Sequence, residues 1–217
     1  GGGVAYTGSD SYAGAGGSGV VMVPYLGGAA ATGGTATAAS GSAKGYTLHT
    51  FTSGGTLAFD AIAVELSGTI GGTGGVTADA SGGTLKFSGN NSYSGNTNIS
   101  GGLVQTSHQN ALGNNSALDI SNVAGAQMQL LNNLNIGSLS GGGAAGGNVS
   151  LGTFTLNTGA NNGSTSYAGV VSGTGALIKN GTGTLTLTGN NSYSGTTTIS
   201  AGTLQLGNGG TTGTMGA

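Results

Sequence analysis

The chain has 217 residues, 51 of them glycine, with 4% charged residues, no cysteine and no tryptophan. A net charge of −2, three lysines (Lys44, Lys86 and Lys179) and no arginine exclude a phosphate-tracking nucleic-acid surface, and the lack of cysteine excludes disulfides and thiolate metal sites. No apolar run approaches the roughly 18–20 residues of a membrane-spanning helix. The low net charge also argues against the expanded disorder that so polar a composition otherwise permits.

In chain order, residues 20–26, Tyr46–Phe51, Thr56–Phe59 and Ala63–Leu66 read as strands. Pro24 has no N–H to give a ladder, which places its run at an edge or a strand end. The Ala/Thr/Gly stretch 27–43 is low in complexity and reads as an outward loop, a cap or a subunit contact. Residues 1–67 are therefore expected to form irregular β coils or a cap/contact region, and residues 68–217 a regular solenoid continuous with them.

From residue 83 onward the apolar residues alternate. Leu85 and Phe87 fall between Thr84, Lys86 and Ser88; Leu118/Ile120, Met128/Leu130, Val149/Leu151 and Phe154/Leu156 follow, then Leu185/Leu187, Ile199 and Leu204/Leu206. Short period-2 runs separated by Gly, Asn, Ser and Thr are half-buried strands. No window carries a 3.6-residue apolar stripe free of glycine and β-branched residues, so no helix is expected. The chain reads as all-β.

Residues 83–105 recur at 183–205, with 15 of 23 positions identical and the run Gly89-Asn90-Asn91-Ser92-Tyr93-Ser94-Gly95 repeated whole. A sandwich uses each strand in a different environment and gives no reason for such self-similarity. In a parallel β-helix each coil repeats the pattern of the one beneath it. The expected fold is a right-handed parallel β-helix, the hand following the general crossover preference. The expected core residues are Leu85, Phe87, Ile99, Val104, Leu185, Leu187, Ile199 and Leu204. The expected corner residues are Asn90, Asn91, Tyr93 and Gly95, with Asn190, Asn191, Tyr193 and Gly195 in the second copy. There Asn and Gly would tolerate left-handed backbone, Asn amides would hydrogen-bond along the stack, and the tyrosines would add an apolar body.

The segment Gly183-Thr184-Leu185-Thr186-Leu187-Thr188-Gly189-Asn190-Asn191-Ser192-Tyr193-Ser194-Gly195, with Thr196 to Leu204 after it, resembles the autotransporter-associated β-strand repeat. That repeat occurs in passenger regions of bacterial autotransporters and large surface proteins. Residues 169–181 look like its usual approach, whereas the first copy departs at 77–82, where Thr-Ala-Asp-Ala-Ser-Gly stands for Leu-Ile-Lys-Asn-Gly-Thr. The resemblance covers residues 68–210 well and residues 1–67 loosely, and residues 107–160 look like spacer coils. It implies a right-handed β-helix, exported and displayed outside a Gram-negative-type outer membrane through a C-terminal β-barrel that this chain does not contain. It further implies an association of the repeat with folding during secretion. The closing residues look like the middle of a coil, so the chain is expected to belong to a longer polypeptide. At roughly 20–25 residues and about 4.8 Å per coil, the whole chain would make about nine or ten coils.

Catalytic chemistry finds little support. The acids Asp10, Asp60, Glu65, Asp79 and Asp119 are scattered, and His49 and His108 are isolated. Polysaccharide-acting β-helix enzymes share the architecture, but they typically use an arginine base and an acidic calcium cluster, and this chain has no arginine. No G-x-S-x-G occurs, and Gly71-Gly72-Thr73-Gly74-Gly75-Val76 lacks the aspartate of a calcium-binding repeat. Gly14-Ala15-Gly16-Gly17-Ser18-Gly19 matches a dinucleotide-binding expression, but no helix follows and the abundance of glycine accounts for the match. A hydroxyl array on Thr184, Thr186, Thr188, Thr196 and Thr198, of the kind that binds ice, does not persist in the first copy. No catalytic, cofactor-binding or metal-binding residue is expected, and no cofactor.

The expected role is therefore structural: a stalk, an adhesin shaft or a self-associating extracellular fibre of an exported surface protein. A carbohydrate- or receptor-binding module is the alternative, with Tyr6, Tyr12, Tyr25 and Tyr46 as stacking surfaces for a host glycan, followed by a polysaccharide-acting enzyme. No nucleic-acid partner is expected, and membrane contact only through the absent barrel.

Overall fold

The computed structural model describes residues 21–26, 31–32, 35–38, 46–51, 56–59, 63–113, 115–209 and 213–215, with the backbone alone for the strands before residue 63 and for Gly82. Tyr6, Tyr12, Asp10, Asp60 and the 14–19 glycine run lie outside these residues, as do the side chains of Tyr25, Tyr46 and His49. The described residues contain strands, turns and bends but no helix.

The early strands are β1 (Val21–Leu26), β2 (Ala31–Thr32), β3 (Thr35–Ala38), β4 (Tyr46–Phe51), β5 (Thr56–Phe59) and β6 (Ala63–Leu66). β4 pairs antiparallel with both β1 and β3, and β2 pairs antiparallel with β5. β5 and β6 each pair parallel with the strand that follows them, and every later pairing among the described strands is parallel. The solenoid makes about seven turns, not the nine or ten expected, because the described strands before β5 pair antiparallel instead of winding.

The coils have three faces. β7 (Val76–Phe87) and β8 (Thr97–Thr106) are long strands that turn a corner, each serving two faces, and their mutual register shifts between Ala78 and Asp79 and between Ala80 and Thr84. The first face stacks β5, the start of β7, the start of β8, β9 (Ala117–Ile120), β12 (Ser138–Gly141), β15 (Thr165–Tyr167), β18 (Thr184–Leu187) and β20 (Thr203–Leu206). The second stacks β6, the ends of β7 and β8, β10 (Gln127–Leu130), β13 (Asn148–Ser150) and β16 (Val171–Ser172). The third stacks β11 (Leu134–Ile136), β14 (Leu156–Thr158), β17 (Leu177–Lys179) and β19 (Thr197–Ile199).

Alternation fixes what each row does. Val64, Leu85, Val104, Met128, Val149 and Val171 follow one another in register as an inward row of the second face. Of these all but Val64, which is half-buried, are buried. The adjacent outward row runs Glu65, Lys86, Gln105, Gln129, Ser150, Ser172. Burying one or two aliphatic side chains per strand contributes about 1.5–3 kcal/mol each, enough for a thin core only because each inner coil is hydrogen-bonded above and below.

Leu85, Phe87, Ile99, Val104, Leu185 and Leu187 are buried, and Leu204 is half-buried. Ile199 departs from expectation: it is 53% exposed. It ends the inward row Ile136, Thr158, Lys179, Ile199, and no described residue stacks above it. Leu206, 43% exposed, ends an inward row of the first face for the same reason.

The two repeat copies do not sit on the same faces. Residues 84–87 lie on the second face, their counterparts 184–187 on the first; 97–99 lie on the first, 197–199 on the third. Following the second face from Leu85 through Val104, Met128 and Val149 to Val171 counts four full turns; Leu177 and then Leu185 add two further faces. The 100-residue period is thus four and two-thirds turns, or about 21 residues per turn. Each copy therefore stacks on spacer coils rather than on the other copy.

Candidate functional site

The distinctive local structure is the corner formed by 89–97 and repeated at 189–197. Residues 90–94 and 191–194 form no regular strand, so ordinary ladder bonds are interrupted there. Asn91 fills the gap with its side chain. Its Oδ1 accepts the Ile70 N–H of the coil below at 2.7 Å, and its Nδ2 donates to the Ala111 carbonyl of the coil above at 2.5 Å. Asn191 does the same, accepting from Val171 N at 2.8 Å and donating to Thr214 O at 2.7 Å. One buried amide thus ties three successive coils, and each copy has one. The flanking serines repeat as well: Ser92 and Ser94 donate their N–H groups to Ile70 and Gly72, Ser192 and Ser194 to Val171 and Gly173.

Asn90 works differently. It is exposed, and its Oδ1 accepts from Asn110 Nδ2 at 3.1 Å; Asn135 Nδ2 reaches Asn110 at 3.5 Å and Asn157 Nδ2 reaches Asn135 at 3.0 Å. The amide ladder therefore exists, but it joins the first copy to spacer coils. Asn190 is exposed and forms a parallel bridge to Thr214.

Tyr93 and Tyr193 are 2% and 0% exposed and point their hydroxyls at threonine. Tyr93 OH lies 2.6 Å from Thr97 Oγ1, which lies 2.8 Å from Ser116 Oγ, and Ser116 donates to the Gly95 carbonyl at 2.7 Å. Each hydroxyl has one proton to give. Since the Ser116 proton goes to Gly95, Thr97 donates to Ser116 and Tyr93 to Thr97. Tyr193 repeats the first link, 2.7 Å from Thr197. Burial pushes the Tyr93 phenol far above its ordinary pKa, with the Thr97 and Ser116 hydrogen bonds acting in the opposite sense. The ring stays neutral and serves as packing.

The corner glycines correct one expectation. None of Gly89, Asn90, Asn91, Gly95, Gly189, Asn190, Asn191 and Gly195 has left-handed backbone. What requires glycine is contact: a Cβ on Gly95 would lie 2.4 Å from the backbone of Gly74, and one on Gly195 2.1 Å from the carbonyl of Gly175.

The polar candidates come out as surface or structural groups. Glu65 and Lys86 pair across coils at 3.2 Å, and the Ser88 hydroxyl first, then Lys86, holds the Glu65 carboxyl below the usual range. Asp119 accepts from Ser140 Oγ at 2.7 Å, Asp79 accepts from Ser81, and His108 Nδ1 accepts the Asn110 N–H. No group of three His, Cys, Asp or Glu comes together among the described residues. Thr97, Thr197 and Ser116 escaped the sequence reading, although Thr97 and Thr197 are identical in both copies four residues after the tyrosine. Lys179 escaped it too, and the signal was parity: it alternates with Leu177 and so faces inward.

Comparison with known proteins agrees with this geometry. The model of the passenger-associated transport repeat matches residues 80–105 and 177–206, the two corner-bearing segments. Over 180 residues, 80% of this chain, the sequence is 37% identical to the adhesin BmaC autotransporter of Brucella suis biovar 1 (strain 1330), and the match spans 5% of that protein. No solved structure matches. With both matched segments folded as equivalent corners of one parallel β-solenoid, the chain carries two copies of the autotransporter passenger-associated transport repeat.

Proposed function

We propose that this chain is a length of shaft in an exported, surface-displayed adhesin, with a non-enzymatic, load-carrying and spacing role. The observation that supports this most is where the polar side chains go. Asn91, Asn191, Asn122, Asn133, Asn148 and Asn162 all accept backbone N–H groups from a neighbouring coil rather than converging on a cleft. Such a molecule gains length at about 4.8 Å per coil and carries its recognition elsewhere.

The test is surface display. An epitope inserted at Gly125, which has open space around it, is expected to be labelled on intact cells producing the polypeptide that carries this chain. It should also be shaved off by external protease. Labelling only after lysis would overturn the proposal.

Self-association is a second reading, favoured by outward rows in which Thr, Ser, Asn and Gln predominate and Asp119, Glu65 and Lys86 are the charged members. Sedimentation of the purified chain over rising concentration is expected to show a mass increase, and a constant monomer mass would remove this reading.

A further inference from the structure

The residue that fits a shaft least well is Lys179, a lysine in a core row, 1% exposed, between Thr158 and Ile199. Among the described residues its ammonium meets no carboxylate. It donates to three backbone carbonyls: Asn180 at 2.5 Å, Gly181 at 3.0 Å and, one coil further on, Ala201 at 3.4 Å. These oxygens turn inward because the chain rounds the corner from the third face to the first through Gly181 and Gly202, both left-handed at φ 66° and 69°. Close approach completes the enclosure, since a Cβ on Gly159 would come within 3.2 Å of the Lys179 Nζ.

Three carbonyl oxygens converging on one ammonium supply part of the shell that a dehydrated monovalent cation requires. We propose that this corner is a monovalent-cation site, selective for ions of ammonium or potassium size, which the chain occupies with its own tethered ammonium. Lys179 then holds two successive coils together as a bound ion would, without depending on the ion content of the medium. The first copy has Asp79 in the equivalent position, hydrogen-bonded to Ser81, so the device belongs to the second copy alone.

Chemical rescue tests this. Lys179→Ala should melt about 5 °C below the parent chain in choline chloride, and ammonium or potassium chloride at the same concentration should restore at least half of the loss. The parent should melt alike in all three salts. Equal melting of the variant in all three salts would overturn the proposal, as would a Lys179→Met chain at least as stable as the parent in choline, because the carbonyls would then need no cation. If Lys179→Ala does not fold, acetylation of the native parent decides. The Lys179 amine should react about tenfold or more slowly than that of Lys86, and comparable rates would refute an enclosed ammonium.

Discussion

At the scale of single residues, two asparagines adjacent in sequence have different energetic weight. Asn90 shares an exposed amide contact, while Asn91 satisfies a buried N–H and a carbonyl that have no strand to pair with. Leaving a buried polar group unpaired costs about 1–3 kcal/mol. Asn91→Leu is therefore expected to lower chemical-denaturation stability by about 2–4 kcal/mol and Asn90→Leu by less than about 1; equal losses would contradict the three-coil tie. The hydroxyl chain makes a directional prediction of the same kind. Thr97→Val leaves the buried Tyr93 hydroxyl without an acceptor and should cost about 1–3 kcal/mol, more than Tyr93→Phe, after which Thr97 and Ser116 keep their bonds. Buried phenols add a pH dependence. Burial raises the Tyr93 and Tyr167 hydroxyls well above their ordinary 10.0, so above about pH 10 the unfolded chain gives up protons that the folded chain keeps. Stability should then fall as pH rises through that range; urea titrations across alkaline pH should show this slope, and Tyr93→Phe should reduce it.

At the scale of the element, the glycines of the corner separate contact from conformation. Gly74 lies beneath Gly95, has open space around it and no left-handed backbone; Gly95 would drive a methyl into the Gly74 backbone. Gly74→Ala should be neutral or slightly stabilising through the unfolded state, by up to about 1 kcal/mol, whereas Gly95→Ala should destabilise strongly because backbone cannot rotate aside. Thermal melts of the two variants check the contrast. Legibility in the sequence divides along the same line. Inward and outward positions were readable, because Leu85, Phe87, Leu185 and Leu187 alternate with polar residues and need nothing beyond their own strand to reveal a face. The role of Gly95 was not, since it depends on a backbone one coil away, about 21 positions earlier. Ile199 misled for a related reason: period-2 alternation reports that a side chain points inward, not that another coil covers it. The antiparallel pairing of β1 with β4 was equally hidden, because short apolar runs do not encode the direction of their partners.

At the scale of the whole molecule, cohesion is hydrogen-bonded and apolar rather than ionic. One ion pair, Lys86 with Glu65, is described along the coils, and it is a surface pair of the kind that contributes about 0–1 kcal/mol. Melting temperature should therefore shift by no more than a few degrees between low and molar sodium chloride, and a large salt dependence would show that charges outside the described residues matter. The four-and-two-thirds-turn period has a consequence of its own. The two buried-asparagine corners open toward different sides of the shaft, a third of a revolution apart, so they trace a spiral rather than a stripe. Two shafts laid side by side could match one pair of corners but would then turn the next pair away from each other. The spacing of the copies therefore spreads the corners around the circumference instead of building one lateral stripe for a second shaft to meet.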